Sequence, residues 1–190
     1  MDTTLARLAE LVKRPDNHLA SAAAAVLAEL APPEAFVVEA LAGTLEKGEP
    51  VRRPLVIEAL GRIGTPEAAR VLAALIRAGG PSSEAALRAV AHAGARALKP
   101  LVELLPVVGP ALRAKLAEAI ARTGEAAGFA ALLDRLRSEA AREREAVLDG
   151  TRRALPAATP KARESLFKEL GKALESKAFA AKGAAGVGLL

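Results

Sequence analysis

Cysteine, tryptophan and tyrosine are absent from the 190 residues, which include only four phenylalanines, one methionine and two histidines. Without cysteine there is no disulfide, thiolate zinc site, iron–sulfur cluster or cysteine nucleophile, and no sign of an oxidising compartment. Without tryptophan or tyrosine, the aromatic platform on which single-stranded nucleic acid stacks is missing. No apolar run approaches the roughly 20 residues of a membrane span. The opening "MDTTLARLAELVKRPD" is amphipathic and carries acids, unlike the basic start and apolar core of a signal peptide. A soluble, cytoplasmic protein is expected.

What is present is alanine and leucine. Apolar residues make up 52% of the chain, and these two dominate them. They are the strongest helix formers, and runs of β-branched residues are few, so an all-α fold is expected. The net charge of +5 is unevenly placed. Residues 1–150 hold 19 basic and 19 acidic side chains, whereas residues 151–190 hold eight basic and three acidic ones. The basic character therefore belongs to one end of the molecule.

The chain repeats itself. "ALGRIG" at 59–64, "AVAHAG" at 89–94 and "AIARTG" at 119–124 place Gly64, Gly94 and Gly124 at a spacing of 30. Each is followed by a short link and another leucine-rich run. Thr65 suits a helix cap, Pro66 the first helical position, and Glu67 the positive end of the helix dipole. Ala69, Leu72, Ala73 and Ile76 follow at helical spacing, and "AGGPSS" then breaks the chain. The spacing predicts helices over 2–13, 16–30, 33–47, 51–63, 66–78, 82–93, 96–106, 111–123, 126–139, 142–154 and 160–176. Pro54 falls in a first turn, Pro106 ends its helix, and Pro100 is either a first-turn proline or a kink. Helix pairs of about 30 residues cannot bury their apolar faces alone and must stack.

"VRRPLVIEALGRIGTPEAARVLAALI" (51–76) resembles a HEAT-like repeat of the short bacterial, PBS-lyase type. Its Val-Arg near the start of the second helix, its Ala-Leu-Gly-x-Ile-Gly end and its following proline carry the resemblance. The segments 81–106 and 111–136 match less closely, and both ends of the chain are degenerate. The resemblance implies a right-handed α-solenoid of about five to six helix pairs over residues 1–176, followed by a C-terminal tail at 177–190. It implies a fold rather than one function, because such arrays serve many roles.

The glycines of "GRIG" invite a ligand-loop reading. A nucleic-acid clamp of the Gly-x-x-Gly kind needs a sheet around it, and a dinucleotide or P-loop site needs a preceding strand. No strand pattern exists, and the recurrence of the segment reads as a helix end and turn. The repeat instead singles out Arg62, whose equivalents are His92, Arg122 and Arg152. One turn earlier stand Glu58, Arg88, Glu118 and Leu148. Two readings are open. These are solvated residues with Glu58–Arg62 and Glu118–Arg122 pairs, or they form a basic partner-binding stripe on a concave face, joined by Arg52, Arg53, Arg88 and Arg113.

No catalytic constellation emerges. HEAT-like di-iron hydroxylases use His-Glu pairs, but neither His18 nor His92 precedes a glutamate. HEAT-like glycosylases use aromatic and acidic residues, and that aromatic set is missing. A HEAT-like bilin lyase would need an aromatic or acidic pocket for which there is no sign. No catalytic residue, metal or cofactor is expected. The expected role is a protein–protein scaffold or adaptor, and the rival is nucleic-acid binding by the basic end. Leu166, Phe167, Leu170 and Leu174 are expected to face the preceding repeat, with Lys161, Lys168, Lys172 and Lys182 outward. Three readings of the apolar tail are open: a disordered segment, a docking element using Phe179, Leu189 and Leu190, or a join to further chain.

Overall fold

The computed structural model describes residues 3–47, 50–136 and 141–175. These form α-helices and two single 3₁₀ turns, with no strand among the described residues. The helices are α1 (Thr3–Val12), α2 (Asn17–Leu30), α3 (Ala35–Lys47), α4 (Arg53–Ile63), α5 (Pro66–Ala78) and α6 (Pro81–Ala93). They continue as α7 (Ala95–Leu104), α8 (Pro110–Arg122), α9 (Ala126–Leu136), α10 (Ala141–Ala154) and α11 (Pro160–Glu175). Each helix lies within a few residues of its sequence-based expectation.

The chain forms two compact units, Met1–Ala97 and Leu98–Leu190, with the division inside α7. In the first unit the helices form two layers. α1, α3 and α5 lie side by side in one, and α2, α4 and α6 in the other, with α1 against α2, α3 against α4, and α5 against α6. The second unit repeats the plan, with α8 beside α10, α9 beside α11, and α9 packed on both α8 and α10. The stripes that read as apolar in the sequence lie between the layers. Ala69, Leu72, Ala73 and Ile76 of α5 are all buried, as are Ile57 and Leu60 of α4. Burying a leucine or isoleucine of this kind contributes about 1.5–3 kcal/mol.

The helix ends follow the expected chemistry. Thr65 Oγ1 accepts from the Ala68 N–H at 3.3 Å, and Pro66 begins α5. Asp16 does the same for α2, accepting from the N–H groups of His18 at 2.9 Å and Leu19 at 3.2 Å. Gly64 takes φ +58° and donates to Leu60 O, closing α4 in a left-handed turn that side chains with a Cβ resist. Gly94 and Gly124 also have positive φ, so all three glycines of the 30-residue series turn the chain. Pro100 sits in the interior of α7, neither in its first turn nor past its end.

The other glycine of "GRIG" does something else. Gly61 lies within α4, and a Cβ there would stand 2.6 Å from the carbonyl oxygen of Ala89 on α6. It is a contact glycine that lets α4 and α6 approach. Gly43 on α3 provides the contrast, because it is exposed and a Cβ there meets nothing within 4 Å. Gly43→Ala should therefore act through helix propensity alone and stabilise the protein by about 0.5–1 kcal/mol. A higher urea midpoint with an unchanged slope would confirm it.

The α11 stripe departs from expectation in one residue. Ala162, Leu166 and Leu170 are buried, at i, i+4 and i+8. Phe167, one residue and about 100° further round the helix, is 70% exposed rather than turned inward. The side chain of Leu174 lies outside the described residues, as do Lys182 and the whole 177–190 tail. Lys161, Lys168 and Lys172 are exposed as expected.

Candidate interaction surface

The ladder residues fall on the helices that share one layer of each unit. In the first unit Arg62 is exposed on α4, and His92 and Arg88 are exposed on the neighbouring α6. In the second, Arg122 is exposed on α8 and Arg152 on the neighbouring α10. The 30-residue period thus sets like positions on adjacent helices.

Their charges are partly answered from within the fold. Arg62 reaches Glu58 on its own helix at 3.1 Å and Glu29 on α2 at 2.7 Å. Ala31 and Gly64 are equivalent left-handed caps, each donating to the carbonyl four residues earlier, so Glu29 is the α2 counterpart of Arg62. The column in the first unit therefore runs Glu29, Arg62, His92, and begins with an acid. Arg122 pairs with Glu118 at 2.8 Å. Both intrahelical pairs expected from the sequence are present. Both arginines and Glu58 are exposed and Glu118 is half-buried, and intrahelical surface pairs contribute about 0.5 kcal/mol each. The arginines thus remain open to exchange a weak internal partner for an external carboxylate.

The other four candidates divide. Arg88 is exposed and stays on this surface. Arg53 is half-buried in the first turn of α4, with its Nε shielded and without a bond partner. Arg52 and Arg113 are buried, which corrects the expectation that they join a surface. Arg52 Nη1 donates to Arg14 O at 2.8 Å and to Val12 O at 3.5 Å, at the end of α1. Arg113 donates from Nε to Leu105 O and from Nη2 to Val108 O, both at 2.7 Å, and lies 3.3 Å from Glu143. The physical reason is the same for both. Carbonyls at a helix C-terminus lack intrahelical donors, and a guanidinium can serve several at once. Ser83, thirty residues before Arg113, directs its hydroxyl at Ile76 O in the same manner at 3.4 Å.

Residues 4–83 match the family model of HEAT repeats. Over that stretch the chain is similar to HEAT repeats. Its later helices continue the paired arrangement beyond the matched residues. No curated protein matches the chain. Among solved structures, it is similar to a designed armadillo repeat protein at 16% identity, covering 98% of this chain and 99% of that one with a TM-score of 0.41. It is also similar to an engineered protein at 18% identity, covering 100% and 98%, with a TM-score of 0.42. The repeat assignment rests on the family match and the helix pairing, not on these likenesses.

No group of three His, Asp or Glu residues converges as a metal site among the described residues. No described helix is long and apolar enough to cross a membrane. The two histidines are apart: His18 is exposed in the first turn of α2, and His92 in the last turn of α6. A groove of about 370 Å³ is lined by Leu155, Pro156, Leu166, Phe167 and Leu170, with Arg152 and Arg163 at its edges. This feature was missed in the sequence because it depends on Phe167 lying outside the buried stripe.

Proposed function

We propose that this chain is a non-catalytic, cytoplasmic protein–protein interaction scaffold. It holds an acidic partner protein against the exposed face of α4 and α6 in one unit and of α8 and α10 in the other. The observation that carries this reading is the exposed arginines that the repeat sets on neighbouring packed helices within each unit, Arg62 and Arg88 on α4 and α6, and Arg122 and Arg152 on α8 and α10. A surface built on packed helices is ordered before binding, so little conformational entropy is lost on association. Arg62 and Arg122 are exposed and held by carboxylates on the protein surface in pairs that contribute little to stability, so a partner's carboxylates can displace them without unfolding anything.

The test is charge reversal. The Arg62→Glu, Arg122→Glu double variant should melt within about 2 °C of the parent, since exposed pairs are weak. Used as bait under nuclease digestion, it should retain at least about tenfold less of the partner that the parent retains, the equivalent of about 1.4 kcal/mol. Equal retention by the folded variant would refute this surface. Retention lost on nuclease treatment alone would mean that nucleic acid, attracted by the basic C-terminal end, is the partner.

A further inference from the structure

Each unit exposes an apolar surface, and the segments that carry the two surfaces differ in charge. In α2 the buried positions are Ala20, Ala23, Ala24, Leu27 and Ala28, a single stripe. Aligned through the Ala31 and Gly64 caps, Val26 and Leu30 correspond to Ala59 and Ile63 of α4. Those two are buried, and they lie about 200° round the helix from Gly61, which touches α6. They therefore face back toward α2. The same positions on α2 face away from α4, and Leu19, Val26 and Leu30 are 49%, 44% and 57% exposed there. Three of the six large exposed apolar side chains among the described residues thus line one face of one helix. On the side away from α4, α2 carries an apolar face of the kind by which neighbouring helices pack.

In the second unit, the groove formed by the end of α10, the turn at 155–156 and α11 is open and apolar, lined by Phe167 together with Arg152 and Arg163. Residues 151–175 hold six basic and three acidic side chains, whereas residues 1–47 hold seven acidic and four basic ones. Asp16 precedes α2, and Glu29 lies near its end on the side of Arg62.

We propose that the molecule stacks head to tail on a second copy of itself, the Leu19–Val26–Leu30 face of α2 in one copy packing into the Phe167 groove of the next. The apolar side chains supply the contact, and the opposite net charges of the two ends favour this polarity over head-to-head or tail-to-tail pairing. Such a contact is heterologous, so it extends into longer assemblies unless the geometry closes a ring. Arg152 and Glu29 border both this contact and the charged column, but the apolar residues that make the contact, Leu19, Val26, Leu30 and Phe167, lie outside the column, so substituting them tests this proposal separately from the partner reading above.

Complementation between two broken ends tests it. By sedimentation equilibrium up to about 200 μM, a range that captures weak interfaces, the parent's mass should rise with concentration beyond twice its 19.5 kDa. Val26→Glu lacks a head and Phe167→Glu lacks a tail, so each alone should remain a monomer. Mixed in equal amounts, they should form a dimer that does not grow, because only one intact head meets one intact tail. Both sites are exposed, and circular dichroism confirms folding; Leu30→Glu and Arg163→Glu replace either variant that does not fold. A parent that stays monomeric throughout overturns the proposal. So does a Phe167→Glu variant that still self-associates, or a mixture that stays monomeric.

Discussion

Gly150→Ala should destabilise the second unit by about 3 kcal/mol, although alanine is the better helix former. A Cβ at this position in α10 would stand 2.0 Å from the backbone oxygen of Ala114 and 2.8 Å from Ala117 Cβ, both on α8. Neither obstacle is a flexible side chain, so relief requires separating the two helices. Overpacking of this kind costs about 1–3 kcal/mol and sometimes more, against a propensity gain of up to about 1 kcal/mol. The upper end applies because a backbone carbonyl is struck. For a chain of this length the loss corresponds to roughly 6–12 °C in Tm. Calorimetry of Gly150→Ala beside Gly43→Ala checks the argument, since the same chemical change should move the two proteins in opposite directions. A neutral Gly150→Ala would mean that α8 and α10 are not held in contact at this point.

Arg113→Met should cost about as much, for a different reason. Methionine keeps much of the aliphatic volume but removes the donors to Leu105 O and Val108 O and the partner at 3.3 Å from Glu143. Hydrogen bonds involving a charged group contribute about 1.5–3 kcal/mol, and two carbonyls around a 6% exposed residue are left without them. A loss of about 3 kcal/mol is expected in chemical denaturation. Arg113→Lys should recover only part of it, because an ammonium is a point donor and lacks the planar fork. Full rescue by lysine would show that charge rather than fork geometry holds the α7–α8 junction.

These two effects mark the border of what was legible in the sequence. The helices were visible because alanine and leucine recur at helical spacing and because Thr65, Pro66 and the 30-residue glycine series punctuate them. Those signals are local. Gly61 reads in the sequence as part of a helix end and turn, and Gly150 carries no signal of its own, because their role lies in Ala89 and Ala114 on neighbouring helices. Arg52 and Arg113 read as surface cations because charged residues are seldom buried. The clue to Arg113 was its place in the repeat. It stands thirty residues after Ser83, just inside a helix start, where the carbonyls of the preceding helix need donors. The exposure of Phe167 was within reach of a stricter period, since 162, 166 and 170 already fill one face of α11.

The charged column was legible for a related reason. A fixed period carries Arg62 to His92 and Arg122 to Arg152 without any knowledge of packing. The contact between Arg62 and Glu29 was not, because α2 is offset from α4 by 33 residues rather than 30, as their Ala31 and Gly64 caps reveal.

The claim that recognition occurs on the α4–α6 face and the α8–α10 face is tested most directly by amide hydrogen exchange of the full chain, free and saturated with its captured partner. Protection is expected in the peptides spanning α4 and α6 and in those spanning α8 and α10, with α3, α5 and α9 unchanged. Protection confined to α3, α5 and α9, with the Arg62 and Arg122 helices exchanging as in the free protein, would contradict the account.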